Sequence, residues 1–156
     1  MKALIEKFNS AFDRIPHDLI AIIARIGVGT TFFRSGLTKI DGFGLAQSTF
    51  YLFENEYKLP LISPQMAAYM GTAVELTMPL LLWSGLLTRF AALALLVMTL
   101  VIEIFVYPNA FDTHGVWAVS LLYLLKYGPG RFSIDHFIFS EPGTASPMLT
   151  RQGSLI

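Results

Sequence analysis

Cysteine is absent from this 156-residue chain, which excludes a disulfide-stapled secreted domain and thiolate metal centres. Charge is scarce: 11 Lys+Arg balance 11 Asp+Glu, and charged residues make up 14% where a soluble domain carries about 25%. That deficit excludes a nucleic-acid binder and a disordered chain. The histidines, at 17, 114 and 136, have no helical i, i+3 or i+4 partner, so a metal site has no support. Haem wants axial ligands inside apolar segments, and only His114 approaches one. No nucleophile triad has a signature. Phosphate-binding loops are missing too: Gly27-Val28-Gly29 lies within an apolar run with no Walker lysine after it, so these glycines are expected to allow close helix contact. What the chain has in excess is hydrophobic residues, at 54%, with a mean hydropathy of +0.58. The length allows one domain, and the apolar excess points to a lipid bilayer.

A helix needs about 20 apolar residues to cross roughly 30 Å of hydrocarbon. Residues 19–38 are such a run, interrupted by Arg25 and Arg34. Residues 66–87 hold one acid, Glu75, and residues 90–107, stopped by Pro108, hold Glu103. A fourth run, 114–127, has a length shared by re-entrant and interfacial segments. Asp112 or Thr113 as its cap, and Gly128-Pro129-Gly130 as its stop, favour a span. The expected fold is therefore all-α, an integral membrane bundle of four transmembrane helices. Ahead of it, Leu4, Ile5, Phe8, Phe12 and Ile15 recur at helical spacing, as in an amphipathic helix on the membrane surface. The alternative is a solvated arm. Its long charged stretch lacks a small-residue cleavage site, unlike a signal peptide.

Lys2, Lys7, Arg14, Arg89, Lys126, Arg131 and Arg151 fall on one side of these spans, and Lys39 and Lys58 on the other. The positive-inside rule then puts both termini in the cytoplasm and the loop 39–65 outside. Within that loop, Asp41-Gly42-Phe43-Gly44 reads as a turn and 45–57 as an interfacial helix. That helix is either a lid over an outward-facing site or a membrane-hugging connector. Pro60 and Pro64 break it.

Ionisable residues inside a bilayer cost about 2.5–3.5 kcal/mol each even on the lenient scale, and persist when paired, facing a cavity or doing chemistry. At about 1.5 Å per residue, Arg34 and Glu103 both lie about 6 Å below the outer surface. His114 enters the fourth run at that level with Trp117 one turn deeper, so these residues suggest one cluster. It is either a near-surface ion pair or a site for a quinone headgroup, with donors for two carbonyl oxygens and a ring-packing aromatic. Arg25 lies about 9 Å above the inner surface and Glu75 near the midplane, within an extended arginine's reach. Pro79 removes the donor from the Glu75 carbonyl. Arg25 and Glu75 are then either a structural pair at a packing kink or part of a polar pocket beside Gly71. Arg25, Phe32 and Lys39 share a face of the first span, while Arg34 points away, so two polar environments are expected.

Four stretches in order, ARIGVGTTFFRSGLTKI (24–40), TAVELTMPLLLWSGLLTRFAAL (72–93), VIEIFVYPNAFDTHGVWAV (101–119) and KYGPGRFSIDHF (126–137), resemble the DoxX family of small bacterial and archaeal membrane proteins. The resemblance runs from about 20 to 136. It implies four transmembrane helices in one bundle. The family positions carried over are Arg25, Gly36 and Lys39, then Glu75, Gly85 and Arg89, then His114 and Trp117, then Gly128, Gly130 and Asp135. Arg34 and Glu103 are less typical. The family's name comes from a subunit linked to a terminal quinol oxidase and to thiosulfate:quinone oxidoreduction, which implies a redox-linked subunit of a bacterial or archaeal (inner) membrane.

The organisation expected is an interfacial helix over 1–17, a DoxX-like transmembrane domain over 18–139 and a flexible cytoplasmic tail over 140–156. The leading functional expectation is a membrane subunit of a quinone-linked oxidoreductase. Glu75 and His114 carry proton chemistry, and Arg25, Arg34, Lys39, Glu103 and Trp117 hold the substrate. No covalent cofactor and no metal are implied; quinone, or a partner's cofactor, carries the electrons. Its partners are the bilayer and a membrane or soluble redox protein, or further copies of the chain. Two other classes stay open: a non-catalytic anchor or assembly protein whose intramembrane charges are structural, and a small proton-coupled carrier working as an oligomer.

Overall fold

The computed structural model describes residues 1–139; the expected tail at 140–156, with Arg151, lies outside the described residues. The helices are α1 (Lys2–Phe12), α2 (His17–Leu37), α3 (Gln47–Leu52), α4 (Pro64–Ser84), α5 (Thr88–Val101), α6 (Phe111–Tyr127) and α7 (Ile134–Phe139). Two stretches of π winding lengthen α3 over Phe53–Tyr57 and α5 over Ile102–Val106. The expected turn at 41–44 closes a miniature antiparallel ladder, β1 (Ile40–Asp41) against β2 (Gly44–Leu45), with Ile40 opposite Leu45.

The helix ends follow local chemistry. Ser63 accepts a hydrogen bond from the Met66 amide at 3.3 Å, and Pro64 occupies the first turn of α4. Gly85, at φ +69°, closes that helix in a left-handed conformation that a side chain disfavours. The expected cap of the fourth run is corrected. Helix α6 starts after Ala110, whose carbonyl takes the amides of Thr113 and His114, and no side chain caps it. Asp112 and Thr113 are already inside its first turn, because the turn at Tyr107–Ala110 returns the chain to helix earlier than His114.

The four long helices close a ring in which α2 lies against α4 and α6, and α5 against the same two. Its core is Ala21, Val28 and Phe32 of α2, Leu82 of α4, Ala91, Ala92 and Leu95 of α5, and Leu121 and Leu124 of α6. Close approach of α2 and α4 depends on Gly29 and Gly36. A Cβ on Gly29 would meet the Trp83 indole nitrogen at 2.7 Å, and one on Gly36 would meet Leu76 at 2.9 Å. Gly27, expected to share that role, faces open space. A smaller cluster forms where Phe53 packs on Ala67 and Ala68 of α4.

Outside the core the usual distribution is inverted. Ile23 and Ile26, Met70 and Leu80, Leu93 and Val97, and Val116 and Val119 are all exposed, so each long helix turns large apolar side chains outward. A water-soluble monomer rarely carries so much contiguous apolar surface. Two helical segments, His17–Leu37 and Thr88–Val106, are long and apolar enough to cross a membrane.

Candidate functional site

Two polar centres lie in the ring, one toward each end. The first begins at the C-terminal end of α2. Lys39 turns its Nζ inward to donate to Glu75 Oε2 at 2.6 Å and to Ser35 Oγ at 3.0 Å, while Ser35 Oγ donates to Glu75 Oε1 at 3.1 Å. Lys39 and Glu75 each keep about 6% of their side-chain surface exposed, so this is a buried, hydrogen-bonded ion pair. The Lys39 carbonyl takes the Ala46 amide and the Thr49 hydroxyl, so the β1–β2 turn holds the lysine at the helix end.

Beside the pair is a cavity of about 350 Å³. Glu75, Ser35 and Gly71 form one wall, His114 and Trp117 another, and Phe53, Tyr57 and Leu59 reach it from the connector. His114 Nδ1 and Glu103 Oε2 are hydrogen-bonded at 2.5 Å on the flank of this cavity. The Trp117 ring lies 4.9 Å from that of His114 and 5.3 Å from Phe32. Tyr57 stacks edge-on against Phe53 and against Tyr107. Burial first, and then the neighbouring Tyr107 hydroxyl, holds the Tyr57 phenol above the ordinary tyrosine range. Tyr57 is therefore a proton-bearing donor at physiological pH.

The second centre is built on Arg25. Its Nε donates to the Leu82 carbonyl at 2.6 Å and Nη2 to Trp83 at 2.8 Å; Nη1 serves Pro129 at 3.0 Å and Phe132 at 2.8 Å. These are carbonyls at the C-terminal end of α4 and in the loop after α6, so one guanidinium on α2 ties three segments together. Asp135 completes the clasp. Its carboxylate accepts the amides of Leu87 at 2.7 Å and Thr88 at 2.9 Å, capping α5 from a distant part of the chain.

The expected Arg25–Glu75 pair is thus corrected. Arg25 and Lys39 are separated by roughly four turns of α2, about 21 Å, and Glu75 lies beside Gly36, at the lysine's end. The expected cluster of Arg34, Glu103 and His114 is half corrected: Glu103 and His114 meet, with Trp117 against the imidazole, whereas Arg34 is exposed and has no ion-pair partner among the described residues. Lys39, counted as a loop charge, is buried. The cavity therefore joins Glu75, His114 and Trp117 directly, with Lys39 and Glu103 bonded to its lining, and excludes Arg25 and Arg34. Ser35 and Tyr57 were missed. Ser35 stands one turn before Lys39 and on its face, a signal that helical spacing carries; Tyr57 reaches its partners across the fold and carries no local signal. Asp135 was named through the family resemblance alone, and its partners at the start of α5 lie across the fold.

The DoxX family model matches residues 20–108. An uncharacterized protein of Haemophilus influenzae is 30% identical over 127 residues, covering 75% of this chain and 82% of that protein. No solved structure matches. A match over more than half of the sequence, on a helical chain with apolar faces turned outward, makes this a membrane protein that belongs to the DoxX family.

Proposed function

We propose that this chain is the membrane subunit of a quinone-linked oxidoreductase. In this reading α2, α4, α5 with its π extension, and α6 all cross the membrane of a bacterial or archaeal cell with both termini cytoplasmic, and the chain holds a quinone headgroup for a redox partner. The outward apolar residues on all four long helices support four crossings. The observation that carries the functional reading is the 350 Å³ cavity with two ionisable centres on its walls, His114 hydrogen-bonded to Glu103 and Glu75 paired with Lys39.

The residues suit a flat, apolar ring with two carbonyl oxygens. The cavity falls within the roughly 300–1,000 Å³ of small-molecule sites, and most of its wall is aliphatic or aromatic. Reduction of a quinone to a quinol consumes two electrons and two protons; the electrons come from a partner, since the chain binds no redox group of its own in this reading. His114 donates a hydrogen bond to one oxygen, and Glu103 on its other ring nitrogen steadies the imidazole when it is charged. Glu75, ionised at rest in its pair with Lys39, relays the second proton. Its carboxylate takes up a proton from the Lys39 ammonium and passes it to the other quinone oxygen, and Lys39 regains a proton from water before the next turnover, with Ser35 holding the carboxylate in place. Trp117, wedged between Phe32 and His114, offers the ring a stacking face.

A second reading rests on the pairing itself. Glu75 is fully engaged by Lys39 and Ser35, and Arg25 bonds only backbone, as in a non-catalytic anchor whose charges fix helix register. The deciding measurement is quinone content and quinone reduction, by difference absorbance with menaquinone and ubiquinone added to the detergent-purified protein. A bound quinone that is lost in His114→Ala and Glu75→Gln supports the first reading. Absence of quinone from a folded wild type supports the second.

A further inference from the structure

The helix ends opposite the cavity enclose a second concavity, about 610 Å³, between the start of α2, the first turn of α5 and the 128–133 loop. Arg89 and Arg131 line it together with His17. The side chains of both arginines have no hydrogen-bond or ion-pair partner among the described residues. The two acids of the same groove are occupied by backbone. Asp18 Oδ1 takes the Arg131 amide at 2.6 Å, and both oxygens of Asp135 cap α5. Arg25 lies under the same loop, near enough to Asp135 for their charges to interact. The lining thus holds two guanidiniums and two carboxylates, and with both carboxylates engaged by backbone amides the two guanidinium forks stay open. Tyr123 occupies His17 Nδ1 at 2.8 Å, which leaves the Nε2 of that ring for a further partner.

The groove is also rigid. Arg25 holds the carbonyls of Pro129 and Phe132, Asp18 holds the Arg131 amide, and Ser133 Oγ donates to the Gly130 carbonyl at 2.7 Å. Gly130 sits so close to α2 that a Cβ would lie 2.9 Å from Asp18 Oδ1. Arg131 therefore projects from a fixed loop and Arg89 from a capped helix end. Phe90 and Phe139, at the groove's edge, are exposed on the apolar side.

We propose that this groove binds a phosphate group, held by Arg89 and Arg131. Arginine forks match phosphate oxygens better than a point cation does. The position at the helix ends, with Phe90 and Phe139 beside it, suits the headgroup phosphate of an anionic phospholipid whose chains lie along those rings; a soluble phosphate is the other source of the same chemistry. The site is independent of the quinone reading and lies at the other end of the helices.

The test uses the full chain in detergent, with native mass spectrometry and thermal unfolding as readouts. Phosphatidylglycerol is compared with phosphatidylcholine of the same acyl chains, and with inorganic phosphate and glycerol phosphate. Binding of phosphatidylglycerol over phosphatidylcholine, weakened roughly tenfold by Arg89→Gln and by Arg131→Gln and left unchanged by Lys7→Gln, supports the lipid source. Arginine-dependent binding of the water-soluble phosphates in place of the lipid supports the site and assigns it a soluble ligand. Equal binding of the two lipids with no binding of the soluble phosphates overturns the proposal, as do arginine variants that bind every probe like wild type. Neither arginine side chain has a hydrogen-bond or ion-pair partner among the described residues, so the variants report on binding rather than on folding.

Discussion

At the scale of single residues, the Lys39–Glu75 pair is the sharpest commitment. Removing one partner leaves the other charge buried and alone, which costs about 3–5 kcal/mol. Lys39→Met is therefore expected to lower unfolding free energy in detergent by that amount, and Lys39→Met with Glu75→Leu to recover most of it, because no lone charge remains. If the double variant is as unstable as the single one, the pair is not what the lysine stabilises. Tyr57 gives a second check. Its phenol is held above the ordinary range, so it keeps its proton at pH values where an unfolded tyrosine loses it. The stability it contributes is intact below about pH 10 and is lost as pH rises through the folded value. Tyr57→Phe is expected to make alkaline unfolding less steep, and an absorbance titration should assign to Tyr57 none of the tyrosinate formed at pH 10. These residues show where sequence reading stopped. Seven-residue spacing put Arg25, Phe32 and Lys39 on one face, and all three are buried. The partner of each charge was not readable, because pairing depends on how far α4 slides along α2, and that offset is set by side-chain contacts such as Gly36 on Leu76.

At the scale of elements, the glycines of α2 make contrasting predictions. Gly36→Ala pushes a methyl to within 2.9 Å of Leu76 and 3.0 Å of the Glu75 Cβ, so the helices must part, at a cost of about 1–3 kcal/mol. Gly27→Ala meets nothing within 4 Å and is expected to be neutral or to stabilise α2 by up to about 1 kcal/mol. Thermal unfolding of the two variants should move in opposite directions; a shared direction would mean that glycine content, not close packing, governs the helix. Asp135→Ala removes the only side-chain acceptors at the start of α5 among the described residues and should cost about 0.5–2 kcal/mol. The long helices were legible because apolar runs and their Pro and Gly stops are local. The connector was less so: residues 45–57 split into an α-helical turn and π winding, and Phe53 anchors them on Ala67 and Ala68. That contact sets Phe53, with Tyr57 and Leu59, along the cavity's wall.

At the scale of the whole molecule, the distribution of charge argues for one orientation. Lys39 is buried within the bundle, so the end carrying the β1–β2 turn keeps Lys58 as its basic loop residue beside Arg34 in the last turn of α2, while Arg89, Lys126 and Arg131 gather at the other. The asymmetry is steeper than a count of loop residues suggests, and it favours the arginine-rich end inside. The absence of cysteine makes this directly measurable, since any introduced thiol is the sole label site. Phe43, fully exposed at the tip of the β1–β2 turn, and Lys7, on the exposed face of α1, mark the two ends. Phe43→Cys is expected to react with a membrane-impermeant maleimide in intact cells, and Lys7→Cys only after the membrane is opened. The reverse pattern would turn the cavity of Glu75 and His114 toward the cytoplasm. A quinone there would then draw its protons from inside the cell, and the groove of Arg89 and Arg131 would meet the outer leaflet instead of the inner one. Labelling at both ends in intact cells would mean that α2, the one long helix between Lys7 and Phe43, does not cross, and would break the four-span arrangement itself.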